Sequence, residues 1–240
     1  MTAVPAELRS DIEAPLLRRM TAEAVGSGFL VAAVVGSGIA AARLSPGQPG
    51  LQLLENSLVT GAVLTAMILA LHPVSAAFNP VVVLVERADG LVSSRDAVGL
   101  IAAQVVGAGV GAVTANVMFD LPPVTVASTD RGGVGLWVAE VVATLGLVLV
   151  AYAAGRSGSA GSARLRVALA VGAYITAAYW FTSSTSFANP AVTLARTLSD
   201  TFAGIAPASV PAFVLMQVVG AALGYGLVRL LRAPSEGTSR

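Results

Sequence analysis

The chain has 240 residues, of which 55% are apolar and 11% charged, and its formal net charge is +1. A soluble domain has roughly 25% charged residues, so a chain this poor in charge is expected to lie in a lipid bilayer. There is no cysteine and only one histidine, which excludes disulfides, thiolate or multi-histidine metal sites and the nucleophile–base pair of an enzyme. The near-neutral charge excludes nucleic acid as a partner, and no cofactor is expected.

The first 19 residues mix acidic and basic side chains before a long apolar stretch begins. A cleaved signal would have a basic start, an apolar middle and a small-residue cleavage site. We therefore expect residues 1–19 to form a cytoplasmic lead-in.

Six apolar segments have, or nearly have, the length of about 20 residues that a membrane helix needs. Charged residues, Gly, Pro and Ser separate them, and they cover residues 21–42, 56–71, 96–117, 134–154, 165–180 and 211–231. Two further apolar runs, 79–85 and 189–198, are too short to span, and each begins with Asn-Pro. The pattern predicts six membrane helices and two half-helices that enter the membrane without crossing it.

Three marks occur in the same order in both halves of the chain. An Ala-Glu pair contains Glu23 or Glu140, an Asn-Pro pair follows, and a Gln-Val-Val-Gly run starts at Gln104 or Gln217. Because each half has three spans, the second half must enter the membrane inverted. We expect one channel domain over residues 20–232, with repeats over about 20–117 and 134–232, and a cytoplasmic tail over 233–240.

The arginines are distributed unequally between the two sides of this arrangement. Eleven of the fourteen basic residues fall on one side, and only Arg43, Arg131 and Arg196 fall on the other. The positive-inside rule then predicts a multi-pass protein of the cell (plasma or inner) membrane with both termini in the cytoplasm.

The Asn-Pro pairs are helix starts. Asn79 and Asn189 are suited to cap a helix with the side-chain oxygen, and Pro80 and Pro190 suit the first helical position. Capping leaves both amide N–H donors of each asparagine free for a solute in the lumen. Each helix N-terminus adds roughly half a positive charge. We expect the two starts to meet at mid-membrane, at a point called here the waist, and to repel cations there.

The chain just before Asn79 and Asn189, over 74–78 and 183–188, is predicted to be extended, and its free carbonyls are expected to line a cavity. Glu23 and Glu140 lie in apolar spans, where a carboxylate costs several kcal/mol. We interpret each as an acceptor for the backbone of its own re-entrant segment, and a proton relay is the alternative. His72 either lines the pore or is structural.

These residues resemble the major intrinsic protein family, the aquaporins and aquaglyceroporins. The resemblance rests on Ala22-Glu23, His72, Phe78-Asn79-Pro80-Val81, Ala139-Glu140 and Asn189-Pro190-Ala191. It implies an all-α membrane protein, an aquaporin-like six-transmembrane-helix bundle with two re-entrant half-helices and an inverted 3+3 repeat. It also implies one pore per protomer and a homotetramer in the lipid bilayer. Phe78, Phe187 and Ala188 would line the pore or support the loops.

Two positions depart from the family pattern. The first motif ends in Val81, where the family usually has Ala, and Val192 stands where the family usually has the arginine of its selectivity filter. The distance from the two asparagines assigns the other filter positions to Val59, Ala177 and Ser186. Such a filter would be wide and mostly apolar. The next arginine, Arg196, is expected to anchor its loop through Asp200.

A valine in place of the filter arginine is similar to bacterial aquaglyceroporin-like channels associated with arsenic resistance. The resemblance therefore implies a passive channel for small neutral solutes, such as glycerol-like polyols, arsenite or methylated arsenicals, and water. The alternatives are a proton-coupled secondary transporter that uses Glu23 and Glu140, a plain water channel, and an ion-conducting pore.

Overall fold

A computed structural model describes residues 14–154 and 160–231, in which every regular element is helical. Most of the predicted lead-in and the whole predicted tail lie outside these residues. The eight α-helices are α1 (Leu16–Leu44), α2 (Pro49–Leu71), α3 (Pro80–Ala88), α4 (Ser94–Met118), α5 (Val134–Ala154), α6 (Ala160–Phe181), α7 (Pro190–Ala195) and α8 (Val210–Leu231). Two 3₁₀ turns, Arg196–Leu198 and Pro207–Ser209, follow α7.

The six long helices and the two short ones confirm the predicted all-α bundle. Within the described ranges, α1, α2, α4, α5 and Pro207–Leu231 are long and apolar enough to cross a membrane. The remaining long helix, α6, begins with two arginines, Arg164 and Arg166, in its first turns. Helices α1, α2, α4 and α6 begin earlier than predicted. At the start of α4, Ser93 caps the helix by accepting a bond from the N–H of Asp96.

The two halves repeat the same helix packing. In the first half α1 lies against α4, and in the second α5 lies against α8. A Cβ on Gly107 would fall 2.0 Å from the carbonyl oxygen of Ala24, and one on Gly220 would fall 2.5 Å from that of Val141. Only glycine allows two helix backbones to approach this closely. The sequence repeat is therefore also a repeat of close contacts.

The half-helices α3 and α7 enter the bundle from opposite ends. At the end of α3, Arg87 donates to the Ser94 hydroxyl at the start of α4 (2.8 Å). Beyond the end of α7, the carbonyl of Leu198 accepts from the Asn116 amide near the end of α4 (3.0 Å). The N-termini of α3 and α7 meet between these points. We refer to the two ends of the bundle as the α3 end and the α7 end.

The connecting loop between α4 and α5, residues 119–133, lies across the segment that follows α7. The N–H of Thr125 donates to Leu198 O (3.0 Å), and the N–H of Ala127 donates to Thr197 O (2.9 Å). Further along, Ala206 N–H donates to Thr129 O (2.7 Å). These bonds fix the connecting loop over the α7 end of the bundle.

Candidate functional site

Asn79 and Asn189 cap the two half-helices with nearly the same backbone conformation, at φ −154° and −158°. The Asn79 side-chain oxygen accepts from the N–H of Val81 (3.1 Å). That of Asn189 accepts from Ala191 (3.0 Å) and Val192 (3.3 Å). Each bond satisfies a helix-start donor that would otherwise lack a partner.

The two asparagines are also bonded across the waist. Asn79 Nδ2 donates to the carbonyl of Ala188 (2.8 Å), and Asn189 Nδ2 donates to the carbonyl of Phe78 (2.7 Å). The prediction that both amide donors of each asparagine stay free is therefore wrong, because one of the two is used. We call this reciprocal pair of bonds the cross-waist pair.

Left-handed backbone makes the cross-waist pair possible. Phe78 (φ 47°) and Ala188 (φ 46°) precede the two asparagines, and Thr185 (φ 60°) and Ser186 (φ 51°) have the same conformation. The prediction of extended chain before each asparagine is wrong at these residues. Non-glycine residues rarely adopt this conformation, and the surrounding structure must compensate its cost.

Glu23 supplies that compensation in the first half. Its Oε1 accepts from the Ser75 hydroxyl (2.5 Å) and from the N–H of Ala77 (2.9 Å). Its Oε2 accepts from the N–H of Phe78 (2.7 Å) and from the Gln104 amide (2.7 Å). The carboxylate is fully buried and connects α1, α4 and the first re-entrant segment.

Glu140 has the equivalent position in the second half. Its Oε1 accepts from the N–H of Phe187 (3.0 Å), and its Oε2 accepts from the N–H of Ala188 (2.9 Å) and the Gln217 amide (2.6 Å). It is also fully buried. Both glutamates thus hold the backbone of their own re-entrant segments.

Two of the sequence-derived filter positions, Val59 on α2 and Ala177 on α6, have exposed side chains, as a residue that lines an open lumen would. The adjacent Thr60 is only 2% exposed, and its hydroxyl hydrogen-bonds that of Tyr179 (3.2 Å). Thr60 and Tyr179 are therefore buried in the contact between α2 and α6, near the close approach of Gly61 to Gly172. A helix turns by about 100° per residue, so Val59 lies on another face of α2 than Thr60.

Ser186 and Val192, the other two positions, are buried where the second re-entrant segment passes the bundle interior. The Ser186 hydroxyl oxygen has no hydrogen-bond partner among the described residues, although Ser186 is 3% exposed. A buried hydroxyl without a partner is costly in a folded protein, unless it meets water or a solute. The structure buries Ser186 and Val192 and leaves the side chains of Val59 and Ala177 exposed.

The remaining predicted site residues have structural contacts. Val81 packs with Val85, Val148 and Ala221. Ala191, its counterpart in the second motif, is buried in the main core. The Phe78 ring lies over Gly26, where a Cβ would be 2.0 Å from it. His72 directly follows α2, and its backbone N–H donates to Ile68 O (2.9 Å).

Two arginines, Arg196 and Arg131, lie over the Phe187 ring, and Arg131 was not predicted at this site. Arg196 lies over the Phe187 ring (guanidinium carbon 3.5 Å from its centroid), and its Nε donates to Ala203 O. The prediction that Asp200 partners Arg196 is wrong, because Asp200 accepts from the Ser128 N–H (2.9 Å) and hydroxyl (3.0 Å). Arg131 from the connecting loop also reaches the Phe187 ring, at 5.0 Å.

Two charged groups in these loops have displaced pKa values. The bonds from the Ser128 N–H and hydroxyl lower the pKa of Asp200 below its ordinary value. Burial lowers the pKa of Arg131, while Glu140 and Tyr179 raise it. Nothing in the residue types around Arg131 indicates that the connecting loop folds inward.

Comparisons with known proteins agree on this architecture. A family model described as "Major intrinsic protein" matches residues 11–178 and 134–239. Aquaglyceroporin AqpS of Rhizobium meliloti (strain 1021) is 46% identical over 225 residues, which cover 93% of this chain and 94% of the relative. The X-ray structure of the aquaglyceroporin from Plasmodium falciparum has the same fold, with a TM-score of 0.69 at 20% identity over 90% of this chain and 95% of that one.

Proposed function

The chain belongs to the major intrinsic protein family and is a multi-pass membrane channel for small solutes, not an enzyme; on that basis we propose that it conducts small uncharged solutes through a wide filter without the family's usual arginine. Glycerol-like polyols and arsenite or methylated arsenicals are the proposed solutes, together with water. The relative named as an aquaglyceroporin supports the polyol part of this proposal.

The observation that carries the proposal is the occurrence of two features in the second re-entrant segment. Val192 is a buried apolar side chain, and the buried hydroxyl of Ser186 has no hydrogen-bond partner among the described residues. Val192 is 5% exposed and apolar where the family's arginine would donate to the solute. Ser186 then supplies a hydroxyl that can donate to or accept from a solute oxygen. We propose Val59 and Ala177 as the other two filter residues, since both side chains are exposed, as those that line a wide pathway would be. A site with few polar groups and no charge favours neutral hydroxylated solutes.

The waist supports exclusion of cations. Two half-helix N-termini point at the same region, and each adds roughly half a positive charge. One amide N–H of Asn79 and one of Asn189 are not used in the cross-waist pair, and we propose that both donate to the passing solute. In this arrangement Phe78 and Phe187 support the loops. The Ala188 carbonyl already accepts a bond from the Asn79 side chain.

A proton-coupled transporter is the weaker alternative. It would need a carboxylate that exchanges protons with the pathway, but Glu23 and Glu140 are fully buried and accept several bonds each. Saturable uptake that requires a pH gradient would favour this alternative over a passive channel.

Stopped-flow light scattering on proteoliposomes tests the channel and its filter. We expect glycerol and arsenous acid to enter faster than in protein-free vesicles, and a failure to do so would contradict the proposed solutes. Val192→Arg should slow the larger solutes more than water. An unchanged solute-to-water ratio would remove Val192 from the filter.

A matched pair of neighbouring substitutions tests the filter position on α2. Val59→Phe should narrow the pathway and slow glycerol by about tenfold or more, since about 1.4 kcal/mol in a barrier is a factor of ten. Leu58→Phe adds a ring at the adjacent exposed position, on another face of the helix, and should leave the flux unchanged. Equal loss in both variants, or loss only in Leu58→Phe, would remove Val59 from the filter.

We further propose the cellular context. The chain is expected in a cell (plasma or inner) membrane as a homotetramer, with both termini in the cytoplasm and the α7 end outside. The domain is proposed to extend over residues 20–232, in repeats of about 20–117 and 134–232. Cysteine labelling at Arg43 and Arg87, on opposite ends of the bundle, would test the orientation.

A further inference from the structure

Arg131 is held in place by the connecting loop at the α7 end. Its backbone N–H donates to the Ser209 hydroxyl (3.0 Å), and its Nε donates to Gly204 O (2.9 Å). The residues before it are bonded to the segment after α7 at Thr125, Ala127 and Ser128. An arginine fixed through both its backbone and its side chain has already lost much of its rotamer freedom, so it can bind a solute at a lower entropic cost.

The guanidinium of Arg131 faces the second re-entrant segment. It lies 5.0 Å from the Phe187 ring centroid and interacts electrostatically with Glu140 and Tyr179. Phe187 directly follows Ser186 in the chain, so Arg131 lies near one of the proposed filter positions. Its two terminal nitrogens donate to no described residue.

The charge of Arg131 is not neutralised by an ion pair. No described acidic side chain forms an ion pair with Arg131 within 4.0 Å, whereas Arg19 pairs with Asp96 (3.5 Å) at the other end of the bundle. Arg196 is the neighbouring cation and raises the local positive potential further. Arg196 itself is 2% exposed and lies against the Phe187 ring, whereas Arg131 is partly exposed.

We propose that Arg131 supplies, from the connecting loop, the fixed cationic donor that Val192 does not supply from α7. This inference rests on the proposed function, because it assumes that the pathway passes Ser186 and Phe187. The donor then lies at the α7 mouth of the filter and not inside it. The filter stays wide enough for a bulky neutral solute, while the mouth still repels cations and donates hydrogen bonds to solute oxygens.

The test uses two variants in proteoliposomes. One removes the charge of Arg131, and the other removes the charge of an arginine elsewhere at the same end. Arg131→Gln keeps a donor near Gly204 and removes the charge. Arg43→Gln is the matched control, since Arg43 lies at the same end and also donates to a loop carbonyl, that of Phe119 (2.7 Å). The rates measured are glycerol entry, water flow, and proton entry reported by a trapped pH-sensitive dye under an imposed potential.

We expect Arg131→Gln to raise proton entry by about tenfold or more, with Arg43→Gln at the level of the parent. Adding Val192→Arg to Arg131→Gln should return proton entry to the parent level and slow glycerol. Proton entry in Arg131→Gln equal to that in Arg43→Gln, or no reversal by Val192→Arg, would overturn the proposal.

The behaviour of the parent separates this inference from the proposed function. If the parent moves glycerol above protein-free vesicles and Arg131→Gln has no leak, only the role of Arg131 fails. If the parent moves no solute, the proposed function fails first. Should Arg131→Gln be poorly folded by size-exclusion chromatography, Arg131→Lys keeps the charge and is expected to retain the parent's low proton entry. A leak in well-folded Arg131→Lys would contradict a role for the charge.

Discussion

The two re-entrant segments have the same geometry at the waist and different structures beyond it. Their asparagines have nearly equal backbone angles and exchange the cross-waist pair. From there, α3 continues for nine residues, whereas α7 has six and passes into a 3₁₀ turn at the buried Arg196. If the proposed function holds, we expect cation exclusion to depend on the matched waist and solute choice to depend on the second segment, which differs from the first.

Removing the buried glutamates should have the largest effect, and it tests whether the halves are equally supported. Glu23→Ala leaves four donors unsatisfied and Glu140→Ala at least three. Each buried donor without a partner costs about 1–3 kcal/mol. We expect both variants to lose several kcal/mol of unfolding free energy, with Glu23→Ala the less stable. Thermal melts in detergent measure this, and an unchanged melting temperature would contradict the role.

The asparagines should show a smaller, unequal effect. Asn189→Ala removes two capping bonds and one cross-waist bond, and Asn79→Ala removes one of each. Loss of a helix cap costs about 0.5–2 kcal/mol. We expect Asn189→Ala to lower the melting temperature more than Asn79→Ala. The opposite order would show that the first segment depends more on its cap.

Thr193 and Val83 occupy corresponding positions in the two motifs, so exchanging their residue types tests how the halves differ. Thr193 donates to Asn189 O (2.8 Å) and accepts from the Gln217 amide (2.8 Å), while the corresponding residue in the first motif, Val83, is buried among Val92, Ala97 and Leu100. Thr193→Val should cost about 1–3 kcal/mol because it leaves the Gln217 donor without one acceptor. Its mirror, Val83→Thr, would bury a hydroxyl in an apolar cluster and should also destabilise. A stabilising Thr193→Val would refute this account.

The smallest effect concerns the connecting loop, which has no counterpart in the first half. The folded state lowers the pKa of Asp200, so its contribution to stability is present above the unfolded value of about 3.9. That contribution disappears as the pH falls through the lower, folded value. We expect limited proteolysis of the loop to increase below about pH 4. In Asp200→Asn this pH dependence should be absent, and a dependence that persists would assign it to another group.

The sequence predicted the parts of this fold that depend on local pattern. Helix caps at Asn79 and Asn189 follow from residue type, and the buried glutamates follow from their cost in lipid. The contact between α2 and α6 could not be read in this way. Gly61, where a Cβ would be 2.8 Å from Gly172 O, brings these helices together, and Thr60 is buried there against Tyr179. A count from Asn79 contains no information about that contact.

The cross-waist pair and Arg131 were missed for a different reason. The pair requires left-handed backbone at Phe78 and Ala188, and neither residue type favours that conformation. Arg131 reaches Phe187 only because the connecting loop folds over the α7 end. Both features arise from contacts between distant parts of the chain, which a single sequence does not reveal without the fold.

The cross-waist pair also limits where the channel could open and close. Each asparagine is fastened to the backbone of the other half, so neither half-helix can retract alone without breaking a bond on both sides. The two bonds therefore oppose separation of the half-helix starts at the waist. Regulation by pH, partners or modification would have to act at the ends of the bundle, where loops are held by bonds to side chains such as Asp200 and Ser209.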